Sequence, residues 1–203
     1  MSIAVVDYEA GNLRSVETAL KRLGAAFTFT SDPEQIVQAD KIIFPGVGHA
    51  GHAMQKLKER GLDQALQQAV AEDIPVFGIC LGCQVVLSMS DEHKGPCLDL
   101  ISGRAAEFPA NLGLKVPHMG WNEVQHDETH WLFAGIPSGV SFYFVHSYYP
   151  DLANDKENGL ATSEYGFRFT CTMERGSLVA TQFHPEKSGE YGVRMLQNFC
   201  ERV

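Results

Sequence analysis

Between residues 2 and 79 the chain alternates four times between a short β-branched run and a stretch with helical spacing. Few folds accommodate that alternation. Residues 2–8 (SIAVVDY) read as a buried strand. Residues 12–23 put Leu13, Val16, Ala19, Leu20 and Leu23 on one face of a helix that Gly24 ends. Residues 26–30 form a second predicted strand, and Ser31 and Asp32 can cap a short helix through Val37. A third strand spans 41–44 and is closed by Pro45. Residues 49–73 carry two helical stretches broken at Gly61, and a fourth strand spans 74–79. Strands joined repeatedly through helices predict a mostly parallel sheet covered on both faces.

The second half changes character. Residues 121–124, 140–147, 160–163, 167–173 and 178–184 read as strands joined by short turns, an antiparallel elaboration rather than further βαβ units. A last helix is predicted over 189–202. With no repeat, low-complexity tract or linker, residues 1–203 read as one α/β domain.

Composition narrows the function classes. The formal net charge of −9 argues against nucleic acid as the main partner, because phosphate binding needs a basic surface. The longest apolar runs are far too short to span a bilayer, and no basic leader with an apolar core opens the sequence. Five cysteines without disulfide-framework spacing suit a reducing compartment, so a cytoplasmic location is expected.

Gly78-Ile79-Cys80-Leu81-Gly82 stands where a predicted strand meets a helix predicted from Gly82 to about Met89. This is the nucleophile-elbow pattern with cysteine in place of serine. A sharp strand-to-helix turn needs glycines two positions either side, where side chains would collide. It also puts the sulfur at a helix start, where dipole and free N–H groups favour thiolate, and the Leu81 N–H faces any oxyanion formed there. The competing readings are a buried structural cysteine and redox chemistry through the Cys80–Cys83 CxxC. The latter normally sits early in a small domain, so Cys83 is expected simply to pack the helix.

A cysteine nucleophile needs a base and the base an orienting group. His184-Pro185-Glu186 ends an apolar strand, and in an extended chain residues i and i+2 project to the same side. The carboxylate can then hold one imidazole nitrogen while the other faces the thiol. A solvated strand end is the bland alternative for the tripeptide alone. Two other motifs are set aside. Residues 46–51 match G-x-G-x-x-G but do not follow the first strand, and the next strand does not end in the acidic residue a dinucleotide fingerprint requires. The loop instead can present the N–H groups of Val47 and Gly48 as the second half of an oxyanion hole. Residues 126–130 (HDETH) depart from the zincin pattern and read as a polar surface turn, so no metal and no cofactor is expected.

In that order, Pro45-Gly46-Val47-Gly48, Gly78 through Gln84 and His184-Pro185-Glu186 resemble the class I (triad) glutamine amidotransferases, over nearly the whole chain. Residues 7–8 and 11–13, Lys115 through Asn122 and Tyr143 through Tyr148 resemble in particular the glutaminase branch serving imidazole glycerol phosphate synthase in histidine biosynthesis. The resemblance implies a flavodoxin-like three-layer sandwich and hydrolysis of glutamine through a γ-glutamyl thioester on Cys80. It further implies substrate contacts from Gln84, Glu92 and the backbone of His146, Ser147 and Tyr148. The implied partner is a (βα)8-barrel cyclase subunit, in a heterodimer that receives the ammonia and makes imidazole glycerol phosphate and AICAR. Asn12, Trp121, Tyr143 and Lys187 are the expected interface residues, with a core aromatic as the alternative for Trp121. The glycines flanking Val47 make that loop the expected activation switch. Cys83 stands where the family commonly has methionine, and residues 91–99 are unusually polar for the branch. The alternatives are the glutaminase of another ammonia-using synthase, a stand-alone γ-glutamyl cysteine hydrolase, which would lack the PHMGWN segment, and a non-enzymatic relative, which would need no intact His184–Glu186 pair.

Overall fold

The computed structural model describes residues 2–9, 13–152 and 156–202. The first half follows the expected alternation: β1 (Ile3–Val6), α1 (Leu13–Arg22), β2 (Phe27–Thr30), α2 (Pro33–Val37), β3 (Lys41–Gly46), α3 (Ala50–Glu59), α4 (Leu62–Ala71) and β4 (Val76–Cys80). A short α5 (Leu81–Val85) leads into β5 (Leu87–Ser90), β6 (Gly95–Pro96), β7 (Ile101–Glu107), β8 (His118–Glu123) and β9 (Gln125–His126). Then come β10 (Ser141–His146), β11 (Tyr148–Asp151), β12 (Gly159–Glu164), β13 (Arg168–Arg175), β14 (Leu178–Thr181) and α6 (Gly189–Glu201).

The main sheet has the order β2-β1-β3-β4-β14-β13-β12-β9. Its first five strands run parallel and the rest pair antiparallel. Side chains along β1, β3, β4 and β14 alternate between two cores. Ala4, Val6, Ile42, Phe44, Val76 and Ala180 pack on one face with Ile36 of α2, Leu57 of α3 and Leu66 of α4. Ile3, Val5, Ile43, Phe77 and Val179 pack on the other with Leu20 of α1 and Leu196 and Phe199 of α6. The result is a three-layer α/β sandwich, and near-continuous apolar strands are what burial on both faces demands.

The structure departs from the sequence reading in the helix after Cys80, in two strands the reading left unassigned and in the pairing of β8 with β10. The helix predicted to run to about Met89 stops at Val85, and Leu87–Ser90 is a strand. Val85, Val86 and Leu87 are fully buried, and β5 pairs parallel with β7 in a second sheet of order β11-β7-β5-β6. Strand β7 itself, with the polar sequence ISGRAAE, carries little strand signal. Strand β11 contains Pro150, which an edge strand tolerates. Finally, β8 and β10 do not join the main antiparallel run. They form a separate two-stranded ribbon pairing Trp121 with Tyr143 and Met119 with Val145.

Candidate active site

Strand β4 ends and α5 begins at Cys80, which holds φ 55° and ψ −103°. A non-glycine residue there is strained, and such strain persists only where the surroundings over-determine it. The surroundings here are glycines. A Cβ on Gly78 would lie 3.2 Å from the Gly82 backbone and from Ala180 Cβ, and one on Gly82 would fall on the Phe44 carbonyl oxygen. Gly82→Ala is therefore expected to cost about 3 kcal/mol or more, since backbone cannot yield as a side chain can. Thermal unfolding of the variant measures that loss.

His184 follows β14 in extended conformation, but Pro185–Lys187 is a 3-10 turn rather than a strand continuation. The Glu186 carboxylate therefore reaches the imidazole by chain reversal, correcting the i, i+2 argument while keeping its outcome. Glu186 Oε1 lies 2.7 Å from His184 Nδ1, and the two side chains are only 4% and 2% exposed. The turn is pinned from behind. Ser188 Oγ donates to the His184 carbonyl at 2.6 Å and accepts from the Tyr143 N–H at 2.9 Å. A Cβ on Gly192 of α6 would collide with the Pro185 carbonyl, so helix and turn touch through backbone.

Burial opposes charge on His184, but the neighbouring Cys80 sulfur and the Glu186 carboxylate outweigh it, and the pKa rises to about 10. The Nε2 atom is buried and closes no well-formed hydrogen bond, the loose contact expected of a site awaiting substrate. His146, also buried, goes the other way: burial pushes it down to about 3, so it is neutral. Its Nδ1 donates to the Tyr148 carbonyl at 2.7 Å, leaving Nε2 to accept from His118 Nδ1 at 2.9 Å. This fixed pair supports the 147–148 segment from within, so the side chain of His146 is structural even though the residue lines the site.

A cavity of about 290 Å3 opens over Cys80, and Val47, Gly48, Leu81, Gln84, Glu92, His146, Ser147, Tyr148 and His184 line it. Cys80, His184, the expected oxyanion residues and the five expected substrate contacts thus line one cavity, while Glu186 stands behind His184, on its Nδ1, outside the lining. Val145 and Pro117 also line it and were not foreseen. Two of the expected contacts are already occupied. Glu92 accepts from the Ala50 N–H at the start of α3 at 2.5 Å, and the Gln84 amide nitrogen donates to Tyr148 O and Gln182 Oε1, both at 3.1 Å. Gly48, at φ 102°, has open space around its α-carbon.

The family model for class I glutamine amidotransferases matches residues 4–203. The chain belongs to the class I glutamine amidotransferases. Within the family, the imidazole glycerol phosphate synthase subunit HisH of Dehalococcoides mccartyi (strain CBDB1) is 46% identical over 198 residues, covering 97% of this chain and 95% of the relative. HisH of Methylococcus capsulatus is 48% identical over 208 residues, covering 98% and 95%. The amidotransferase fold extends further. PurLQS of Thermotoga maritima aligns with TM-score 0.74 at 15% identity, covering 98% of this chain and 96% of that one. The flavodoxin-like sandwich is thereby shared.

Of the expected interface residues, Trp121 is 58% exposed and meets Tyr143 edge to face, with ring centres 6.2 Å apart, so it is no core aromatic. Lys187 lies in the 3-10 turn beside the catalytic candidates. Asn12 lies outside the described residues. Cys83 is fully buried and burial raises its thiol well above the ordinary value, consistent with packing. In the HDETH segment His126 stacks on Phe133 and His130 pairs with Glu174 at 3.0 Å. Among the described residues no cluster of His, Cys, Asp and Glu is placed to hold a metal ion, and no helix is long and apolar enough to cross a membrane. The main omission from the sequence reading is Gln182, fully buried, whose side-chain nitrogen lies 3.9 Å from Cys80 Sγ.

Proposed function

We propose that residues 1–203 are one glutaminase unit, the subunit of imidazole glycerol phosphate synthase that hydrolyses glutamine to glutamate and ammonia through Cys80. The convergence of a strained, buried cysteine with an imidazole held by a buried carboxylate carries this reading. Glutamine enters with its carboxamide over Cys80, and its α-ammonium faces Glu92. The sulfur attacks the carboxamide carbon, forming the C–S bond and moving the carbonyl electrons onto oxygen. The N–H groups of Leu81 and of the Val47–Gly48 loop hold that oxyanion. His184, keeping the thiol proton on Nε2, passes it to the amide nitrogen, so that the C–N bond breaks and ammonia leaves. Water then attacks the thioester while giving its proton to the same imidazole. The C–S bond breaks, glutamate departs and the thiol regains its proton. Glu186 keeps Nδ1–H engaged throughout, which leaves Nε2 facing the sulfur.

The ammonia goes to a (βα)8-barrel cyclase subunit bound as a heterodimer, in the cytoplasm, where the complex makes imidazole glycerol phosphate and AICAR. The β8–β10 ribbon suits that partner. Met119 and Trp121 are 62% and 58% exposed, and their partners across the ribbon are Val145, which lines the cavity, and Tyr143. Asn12 and Lys187 complete the interface. The Val47–Gly48 loop is the switch: a peptide flip at Val47 needs little energy beside glycine and changes which N–H groups face the oxyanion.

An exposed aromatic at the centre of such a face is the kind of residue that anchors an interface. Trp121→Ala is expected to weaken cyclase binding by about 2 kcal/mol, roughly 30-fold in Kd, with unfolding temperature unchanged. Calorimetric titration checks it. The function itself is tested by glutamate release from glutamine with the cyclase subunit and its ribonucleotide substrate present. Release that requires the partner is the expected result. Equal release by the isolated chain instead points to a free-standing hydrolase.

A further inference from the structure

We propose that Gln182 is a further catalytic residue, donating an N–H to the Cys80 sulfur, and that Gln84 is a positioning residue that fixes Gln182 for this task. The inference rests on the thioester reading and deepens it.

The orientation follows from a chain of forced choices. The Tyr148 carbonyl can only accept, so the Gln84 atom 3.1 Å away is its amide nitrogen. The second N–H of that nitrogen must meet an acceptor, so the Gln182 atom 3.1 Å away is Oε1. Gln182 Nε2 is then left facing Cys80 Sγ at 3.9 Å, its only partner among the described residues. Gln182 is fully buried and Gln84 nearly so, so neither amide can exchange its partners for water.

Besides His184 and Gln182, the sulfur neighbours the Val145 carbonyl at 4.0 Å, which accepts from the thiol. Once that proton leaves, the carbonyl faces the thiolate with a lone pair. The Gln182 N–H then offsets the repulsion, since a hydrogen bond donated to the charged form favours it. The titratable groups around Cys80 are His184 beyond β14, Tyr8 after β1 and Cys83 on α5. Of these only His184 can bring positive charge, and the Gln182 N–H adds to it and to the backbone N–H groups of the elbow in favouring the thiolate.

The test is the rate of Cys80 alkylation by iodoacetamide against pH in the full chain, read by peptide mass mapping with Cys97 as internal reference. Gln182→Met keeps the volume and removes the donor. It is expected to slow labelling of Cys80 about 10-fold near neutral pH and to move the acid limb of the profile upward by about one unit. Gln84→Met leaves Gln182 in place but unheld and is expected to give a smaller shift in the same direction, and it carries the test alone if Gln182→Met does not fold. A wild-type profile in a folded variant overturns the proposal while leaving the thioester reading intact. Labelling of wild-type Cys80 no faster than Cys97 overturns the thioester reading itself.

Discussion

Replacing Cys80 by alanine is expected to reduce glutamine hydrolysis by about 10,000-fold or more while leaving the fold intact. The sulfur atom attacks the carboxamide and holds the acyl group until water releases it in the proposed cycle, and no other thiol is near enough to substitute. Cys83 sits one helical turn on but is fully buried, with its thiol held protonated by that burial. The substitution leaves the glycines at 78 and 82 and the close approach of Gly82 to the Phe44 carbonyl unchanged, so the elbow keeps its shape. Glutamate release in the complex, compared with thermal unfolding of the same preparation, separates lost chemistry from lost structure. A variant retaining even one hundredth of the activity would contradict the assignment.

Glu186→Gln has the second largest expected effect, a fall of roughly 1000- to 10,000-fold. The amide fits the same space, but its nitrogen can turn toward His184 Nδ1 and its oxygen no longer carries charge. The pH dependence changes as well. His184 ordinarily titrates at 6.5 and is held at about 10 in the folded protein. Because that pKa is raised, the stabilisation it reflects is fully present below pH 6.5 and is lost as pH rises through about 10. The same charged imidazole supplies the proton for departing ammonia, so activity is expected to fall on the alkaline side as it deprotonates. Removing the Glu186 charge moves both the alkaline limb and the loss of stability to lower pH. A rate–pH profile and unfolding temperatures across that window measure the two together, and an unmoved alkaline limb would show that Glu186 does not support the imidazolium.

The parallel half of the sheet was legible in the sequence because its inner strands β1, β3, β4 and β14 are buried throughout and read as largely apolar runs, while the edge strand β2 alternates Phe with Thr. Strand β7 was not, since its pairing with β5 and β11 depends on tertiary contacts rather than on β-branched residues. The helix after Cys80 was drawn too long because Val85 and Val86 fit either conformation locally, and only their complete burial beside a second sheet decides between them. At the site, Cys80, His184 and Glu186 were legible from motif chemistry, although the carboxylate arrives by a turn. The i, i+2 rule invoked for His184 and Glu186 describes Gln182 and His184 better. Both approach the sulfur from the extended end of β14, while Phe183 between them packs into the core against Phe142. Gln182 was passed over because a glutamine carries no titratable signal, and its role depends on which of its two amide atoms faces inward. That choice is made by the Tyr148 carbonyl, more than thirty residues away in sequence.

The central claim is a γ-glutamyl thioester on Cys80, and rapid acid quenching followed by peptide mass spectrometry tests it most directly. The chain, complexed with the cyclase subunit and its ribonucleotide substrate, is mixed with glutamine and quenched within one turnover. The expected result is the mass of one glutamyl group on the peptide containing Cys80, disappearing as turnover completes and absent in Cys80→Ala. Release of glutamate with no adduct on that peptide at any quench time, or an adduct on another cysteine, would contradict the account.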